Sequence, residues 1–287
     1  MRVRSPGWIL VLGLLGVAAA ACSGTVRVEG DDPGQGGGGA GGGSTTTTGA
    51  GHLPDAVEAA CPDLSTEPLA CLAIGAGAPG ELLALSPTTG ALCPVVALSV
   101  PVADPAPTSL AVIEGDVYYC DDDLGLVRAS LATGEATSAP YACYSVTAWQ
   151  GKLLVSPLWS DDTLELFPSF DDVLAGAPEA VFASPNDNSR MAASSDALYT
   201  TPHVAAEVQR WQLPAAEPLP PVALEGFEDW VDGMWVSDDA TQLLVLSFNP
   251  SPNRLATFDL ATGAAVASVP VSAIGGMTGG LHCWQKL

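Results

Sequence analysis

Three stretches decide the fold: ELLALSPTTG (81–90), GLVRASLATG (125–134) and NRLATFDLATG (253–263). Each is a short apolar run that ends in a Thr-Gly turn. In the last, Ala256, Phe258 and Leu260 fall on one side and Leu255, Thr257 and Asp259 on the other. That is the period-two alternation of a strand, not the 3.6-residue period of a helix. The closing glycine supplies the positive φ of a tight turn. Weaker copies are TLELFPSFDD (163–172) and EVQRWQLPAAE (207–217). The leading apolar residues Leu82, Leu126, Leu164, Val208 and Leu255 are separated by 44, 38, 44 and 47 residues.

The neighbours of these copies also repeat. Upstream stand two apolar strands around a Gly- or Asp-containing turn, as in SLAVIEGDVYYC (109–120), SVTAWQGKLLVSP (145–157), RMAASSDALYTTP (190–202) and DGMWVSDDATQLLVLS (232–247). Downstream comes one more short strand. Four short strands in roughly 40 residues are the sequence form of a propeller blade. The expected fold is therefore all-β, a β-propeller of five four-stranded blades. A β-sandwich also uses evenly spaced short strands, but the recurring Thr-Gly turn favours the propeller. The C-terminal AIGGMTGGLHCW (273–284) reads as the first half of a blade and ELLALSPTTGALCPVVAL as a second half. Joined in space they complete the ring and hide its edges. LACLAI (69–74) is then an extra strand, which leaves room for a sixth blade.

The chain has 287 residues, 9 Lys and Arg against 32 Asp and Glu, and a net charge of -23. Such a chain cannot neutralise phosphate, so nucleic acid is not an expected partner. Nor is it a polybasic membrane-surface protein. Hydrophobic residues make up 48%, enough for a core.

The N-terminus reads differently from the rest. Arg2 and Arg4 precede an apolar run from Trp8 to Ala21, 14 residues long and too short to span a bilayer of about 30 Å. It ends in Ala19-Ala20-Ala21-Cys22. Residues 1–21 are expected to be a signal peptide. Residues 22–52, which include GQGGGGAGGGSTTTTGAG, are expected to be a disordered Gly/Ser/Thr tether, and 53–287 the propeller domain. A flexible coil of that length has a root-mean-square span of about 30 Å. There are seven cysteines. With Cys22 set aside, Cys61, Cys71, Cys93, Cys120, Cys143 and Cys283 form an even set, compatible with three disulfides in an oxidising compartment. Cys283 lies at the closing seam beside the strand that carries Cys71, which favours a Cys71–Cys283 pair among the fifteen connectivities.

Two resemblances follow. Residues 1–22 resemble a bacterial lipoprotein precursor with its lipobox. The resemblance implies cleavage before Cys22, a diacylglyceryl and palmitate anchor on Cys22, and a place in the cell envelope. Ser23 implies the outer membrane in a Gram-negative cell. DLATG (259–263) and LATG (131–134) resemble the strand-turn signature of PQQ-type propeller repeats. The tryptophan of those blades is missing here, so no quinone, metal or catalytic residue is carried over.

Chemical motifs are sparse. His52, His203 and His282 are the three histidines. No nucleophile elbow, zinc-protease motif or Walker loop occurs. Gly75-Ala76-Gly77-Ala78-Pro79-Gly80 matches a dinucleotide fingerprint in letters only, because a strand follows it instead of a helix. Acidic clusters are the one patterned signal. Asp121, Asp122 and Asp123, and then Asp161 and Asp162, follow the second strands of their blades. Asp121, Asp123, Asp161 and Asp162 are the candidate ligands of a calcium ion, though the spacing is not that of an EF-hand and solvated turns explain it as well. No catalytic residue and no cofactor is assigned. The function expected from sequence is a tethered, monomeric binding or scaffold module for a protein or glycan partner. A glycan hydrolase or lyase using carboxylates of the acidic face, and a structural lipoprotein without ligand, are the alternatives.

Overall fold

The computed structural model describes residues 52–103, 106–158, 163–183, 190–201, 206–247, 253–271 and 278–286. The signal-peptide and lipobox readings lie outside them, and the tether does too apart from His52. The chain opens with a six-residue helix, α1 (Asp55–Ala60), and a 3-10 turn (Pro62–Thr66). Three strands follow: β1 (Leu69–Gly75), β2 (Glu81–Leu85) and β3 (Leu92–Ala97). The next sheet has β4 (Ala111–Ile113), β5 (Asp116–Asp121), β6 (Gly125–Ser130) and β7 (Ala136–Ala139). Then come β8 (Cys143–Trp149), β9 (Lys152–Pro157), β10 (Thr163–Phe167) and β11 (Ala180–Ala183), with α2 (Phe170–Ala175) inserted before the last. A fourth set is β12 (Arg190–Ala193), β13 (Ala197–Thr201), β14 (Glu207–Gln212) and β15 (Glu217–Ala223). A fifth is β16 (Gly233–Val236), β17 (Gln242–Ser247), β18 (Arg254–Asp259) and β19 (Ala265–Pro270), and β20 (Thr278–Gln285) ends the chain.

These strands form five four-stranded antiparallel sheets, and the protein is a five-bladed β-propeller. Blades II to V follow chain order. Blade I has the order β20-β1-β2-β3, so one C-terminal strand completes three N-terminal ones. The expectation of two half-blades is corrected here. LACLAI is the second strand of blade I, not the start of a sixth blade. It pairs with β20 on one side and β2 on the other.

The core is not a single mass. It divides into five wedges, one between each pair of neighbouring blades. Leu72, Ile74 and Leu82 of blade I meet Val117, Tyr119 and Val127 of blade II. Leu244, Leu246 and Leu255 of blade V meet Cys71, Leu281 and Cys283 of blade I. Alternate residues of one strand therefore serve different interfaces. Leu255 joins the wedge toward blade I, while Ala256 and Phe258 join the wedge toward blade IV. This explains why second strands such as QLLVLS are buried almost throughout. Outer strands such as β19 have water on most side chains and read as weakly apolar.

The Thr-Gly turn is a repeated device with repeated bonds. Ser86, Ser130 and Asp259 each accept the backbone amide of Thr89, Thr133 or Thr262 on the side chain. Each also accepts the amide of Gly90, Gly134 or Gly263 on its backbone carbonyl at 2.7–2.8 Å. Hydrogen bonds from the hydroxyl and amide of Thr262 hold the Asp259 carboxyl below its ordinary pKa. The three glycines have φ of 73°, 72° and 73°. Each also lies against the preceding blade. A Cβ on Gly90 would sit 1.9 Å from the Pro270 carbonyl oxygen, on Gly134 2.0 Å from that of Ala97, and on Gly263 1.8 Å from that of Ala223. The Gly134 carbonyl accepts the Ser99 amide and the Gly263 carbonyl accepts the Glu225 amide. The turn that marks a repeat in sequence thus also docks one blade on the last. In blade III the turn is replaced by α2, with Ser169 as its N-cap and Gly176 closing it in the left-handed region.

Three disulfides staple the ring: Cys61–Cys93, Cys71–Cys283 and Cys120–Cys143. The first ties the N-terminal segment to the outer strand of blade I. The second joins directly opposed residues of β1 and β20. The third links the second strand of blade II to the inner strand of blade III.

Two glycines separate conformational cost from docking cost. Gly115 has φ of 87° and open space for 4 Å around the point where a Cβ would stand, whereas Gly134 meets backbone. Gly115→Ala is expected to cost about 1–2 kcal/mol, the left-handed penalty alone. Gly134→Ala is expected to cost at least about 1 kcal/mol more, because the added methyl must displace packed backbone. Urea unfolding of both variants checks this, and equal losses would mean that the turn glycine does not dock the blades.

Candidate functional site

Inner strands β4, β8, β12, β16 and β20 surround the propeller axis. At one end they come close together. The Gly280 amide donates to the Asp232 carbonyl at 2.7 Å, a Cβ on Gly279 would lie 2.3 Å from the Pro107 carbonyl oxygen, and one on Gly233 would lie 2.7 Å from Gly280. Only glycine permits that approach. Toward the other end the axis widens into a cavity of about 440 Å³.

The mouth of the cavity is formed by first hairpin turns. Glu114-Gly115 and Gln150-Gly151 have positive φ at both residues, the geometry that suits the twist of a two-residue hairpin. Asp238 and Ser195 belong to the corresponding turns of blades V and IV, and His52 and Pro54 line the cavity from the N-terminal side. The chain therefore enters the folded domain beside the cavity. Among the described residues the lining holds Glu114 and Asp238 as its carboxylates and contains no Lys or Arg.

Three inner strands bring a tryptophan to the lining: Trp149 at the end of β8, next to the Gln150-Gly151 turn, and Trp235 and Trp284, each one residue short of its strand's end. The Trp149 indole N–H donates to the Ser195 carbonyl at 3.1 Å, and its ring meets Phe182 edge-on at 6.1 Å. Trp235 is largely buried between blades V and I. His282 stands on β20, with its ring edge-to-face on Trp284 at 5.1 Å. Desolvation pushes its imidazole down to about 4, so it is neutral at pH 7. Its side chain has no hydrogen-bond partner among the described residues.

The acidic candidates fall elsewhere. Asp121 is buried, and its Oδ1 accepts the amides of Asp123 and Leu124 at 3.0 Å each. Its carboxylate caps the β5–β6 turn, at the end of the blade away from the cavity mouth. Asp122 and Asp123 are exposed in that turn. Asp161, Asp162, His203 and Cys22 lie outside the described residues. A trio not singled out from sequence, His52, Asp55 and Glu58, brings one imidazole and two carboxylates within 4.8 Å of one another on the exposed N-terminal segment. Its spacing of three, from His52 before α1 to Asp55 and Glu58 on it, was the available signal, but no buried group converges on it. The glycine-rich 75–80 stretch is the β1–β2 hairpin, bridged to Val102 through Gly77.

No protein-family model matches the chain, and no curated protein does. Solved structures that resemble it include Myxococcus xanthus glutaminyl cyclase, with a TM-score of 0.46, 11% identity, and coverage of 57% of this chain and 70% of that one. Kuenenia stuttgartiensis hydrazine synthase gives a TM-score of 0.40 at 11% identity, covering 59% and 51%. Likeness at this level carries no statement about activity, and the propeller assignment rests on the five sheets themselves.

The depressed imidazole has a consequence for stability. Between pH 6.5 and about 4 the unfolded chain takes a proton on residue 282 that the folded chain refuses. Stability contributed at this site therefore falls as pH falls through that window. His282→Leu removes the effect. Urea unfolding of parent and variant should diverge progressively from pH 6.5 down to pH 4, the variant losing less, while parallel curves would mean that the folded chain protonates His282 as readily as the unfolded one.

Proposed function

We propose that this chain is an envelope lipoprotein, anchored through an acylated Cys22, whose propeller is a binding module with its site in the central cavity. The observation that carries the anchor is cysteine pairing. Three disulfides use all six cysteines beyond residue 22, so Cys22 has no cysteine partner within the chain. It also follows directly on an apolar run and three alanines, which is where lipid attachment takes place in lipoprotein precursors. The disulfides are themselves bonds of an oxidising compartment.

The binding reading rests on the cavity. Its volume lies in the range of small-ligand sites, and its lining mixes aromatic walls with a few polar groups, as such sites do. Residues 22–52 act as a tether that joins the domain next to this opening, since His52 and Pro54 line it. The partner is a small molecule or part of a glycan or protein, and the acidic surface turns away nucleic acid. The anchor belongs to the outer membrane in a Gram-negative cell, and the propeller acts as a monomer.

Cys22→Ser is expected to leave an uncleaved precursor without lipid mass, while the parent yields a mature form that begins at Cys22 and carries diacylglyceryl mass. Unchanged processing of the variant, or a mature parent without diacylglyceryl mass, would overturn the anchor.

A further inference from the structure

The cavity wall holds a half-buried imidazole with no protein partner among the described residues, and that group narrows the ligand. His282 lines the cavity and has no hydrogen-bond partner among the described residues. Desolvation alone shifts it, with no charged neighbour contributing. A neutral imidazole offers one N–H donor and one acceptor nitrogen. His282 is half-buried, and a ligand that displaces water from its ring must replace both kinds of hydrogen bond, so the ligand best matched to this wall gives and accepts a hydrogen bond at one place. A hydroxyl does both.

Charge excludes one class of ligand. Glu114 and Asp238 are exposed at the mouth, the described lining has no Lys or Arg, and the chain carries -23. An anion meets repulsion on the way in and an uncharged imidazole at the end. An organic cation would be drawn to the two carboxylates, but it would leave the imidazole N–H donor unmet. The wall beside His282 is the indole of Trp284, at 5.1 Å between ring centroids. An aromatic surface suits a ligand with one apolar face, and a pyranose has such a face together with hydroxyls at its edge.

We infer that the central cavity takes a neutral sugar unit, with His282 hydrogen-bonded to a hydroxyl and Trp284 against the apolar face of the ring. This rests on the cavity being the binding site. The ligand is then a free saccharide or the end of a neutral glycan. Glu114, Gln150 and Ser195 at the mouth supply further acceptors and donors for outlying hydroxyls.

The test uses the full chain with Cys22→Ser, four probes and two readouts. The probes are maltotriose, triacetylchitotriose, a glucuronic acid oligosaccharide and choline. The readouts are calorimetric titration and the imidazole NMR signals of the chain, in which three histidines are to be told apart. One of the neutral saccharides is expected to bind saturably and shift the His282 signal, and the uronic oligosaccharide is expected not to bind. His282→Leu is expected to melt no lower than its parent and to bind the saccharide at least about tenfold more weakly, the equivalent of one good hydrogen bond. The NMR arm needs no variant, so a folding defect in His282→Leu leaves the test intact. Binding of choline with a His282 shift, and of neither saccharide, would overturn the sugar assignment and keep the cavity as a binding site. Binding of no probe at millimolar concentration, or saccharide binding that leaves His282 unmoved, would overturn the assignment, and the first of these would count against the cavity reading as well.

Discussion

The pairing of β20 with β1 is the constraint on which the rest of the structure depends. Residues 69–75 are held between a strand that follows them directly and one from the far end of the chain. Without that pairing, blade I lacks its inner strand, the wedge between blades V and I loses Leu281 and Cys283, and two sheet edges stand open to other chains. The Lys286 amide and ammonium extend the same closure by donating to carbonyls of Pro68 and Leu64. Cys71 and Cys283 make it covalent across a sequence separation of 212. In the chain-entropy account, a crosslink closing so long a loop restricts the unfolded state by roughly 5 kcal/mol.

Closure also shapes the site. β20 brings His282 and Trp284 to the cavity wall, and its neighbouring Gly279 and Gly280 allow the inner strands to meet at the other end. The same strand thus seals the ring, narrows the axis and supplies the polar group of the cavity. A propeller with five wedges has little freedom to adjust one of them alone, because each blade packs on two neighbours through opposite faces of the same strands.

Much of this was legible in the sequence, for identifiable reasons. The S/D-x-x-T-G turns were visible because a side-chain cap, a left-handed glycine and a tight inter-blade approach all demand particular residues at fixed spacing. The all-β class and the five blades follow from that pattern, the even cysteine set from the count without Cys22, and the Cys71–Cys283 pair from the place of Cys283 at the closing seam. The division of blade I into three N-terminal strands and one C-terminal strand was not legible. LACLAI is apolar on both faces, and such a run reads as a free-standing strand until its partners are known. The copies in blades III and IV were faint because a helix and a proline turn replace the glycine there.

The site was harder to see. A cavity on the axis is made by one or two residues from each of five inner strands, which lie far apart in sequence and share no motif. Trp149, Trp235 and Trp284, each on an inner strand, were the available sequence signal. The acidic runs drew attention instead, yet the Asp121 carboxylate is taken up by two backbone amides. In a chain so rich in acids, turn-capping and solvated carboxylates account for such runs without any ligand. Ring closure between the termini is the claim from which the fold and the site both follow, and disulfide mapping tests it most directly. Proteolysis of the unreduced protein followed by mass spectrometry should recover a peptide pair linked through Cys71 and Cys283. Finding either cysteine free, or joined to any other partner, would contradict the account.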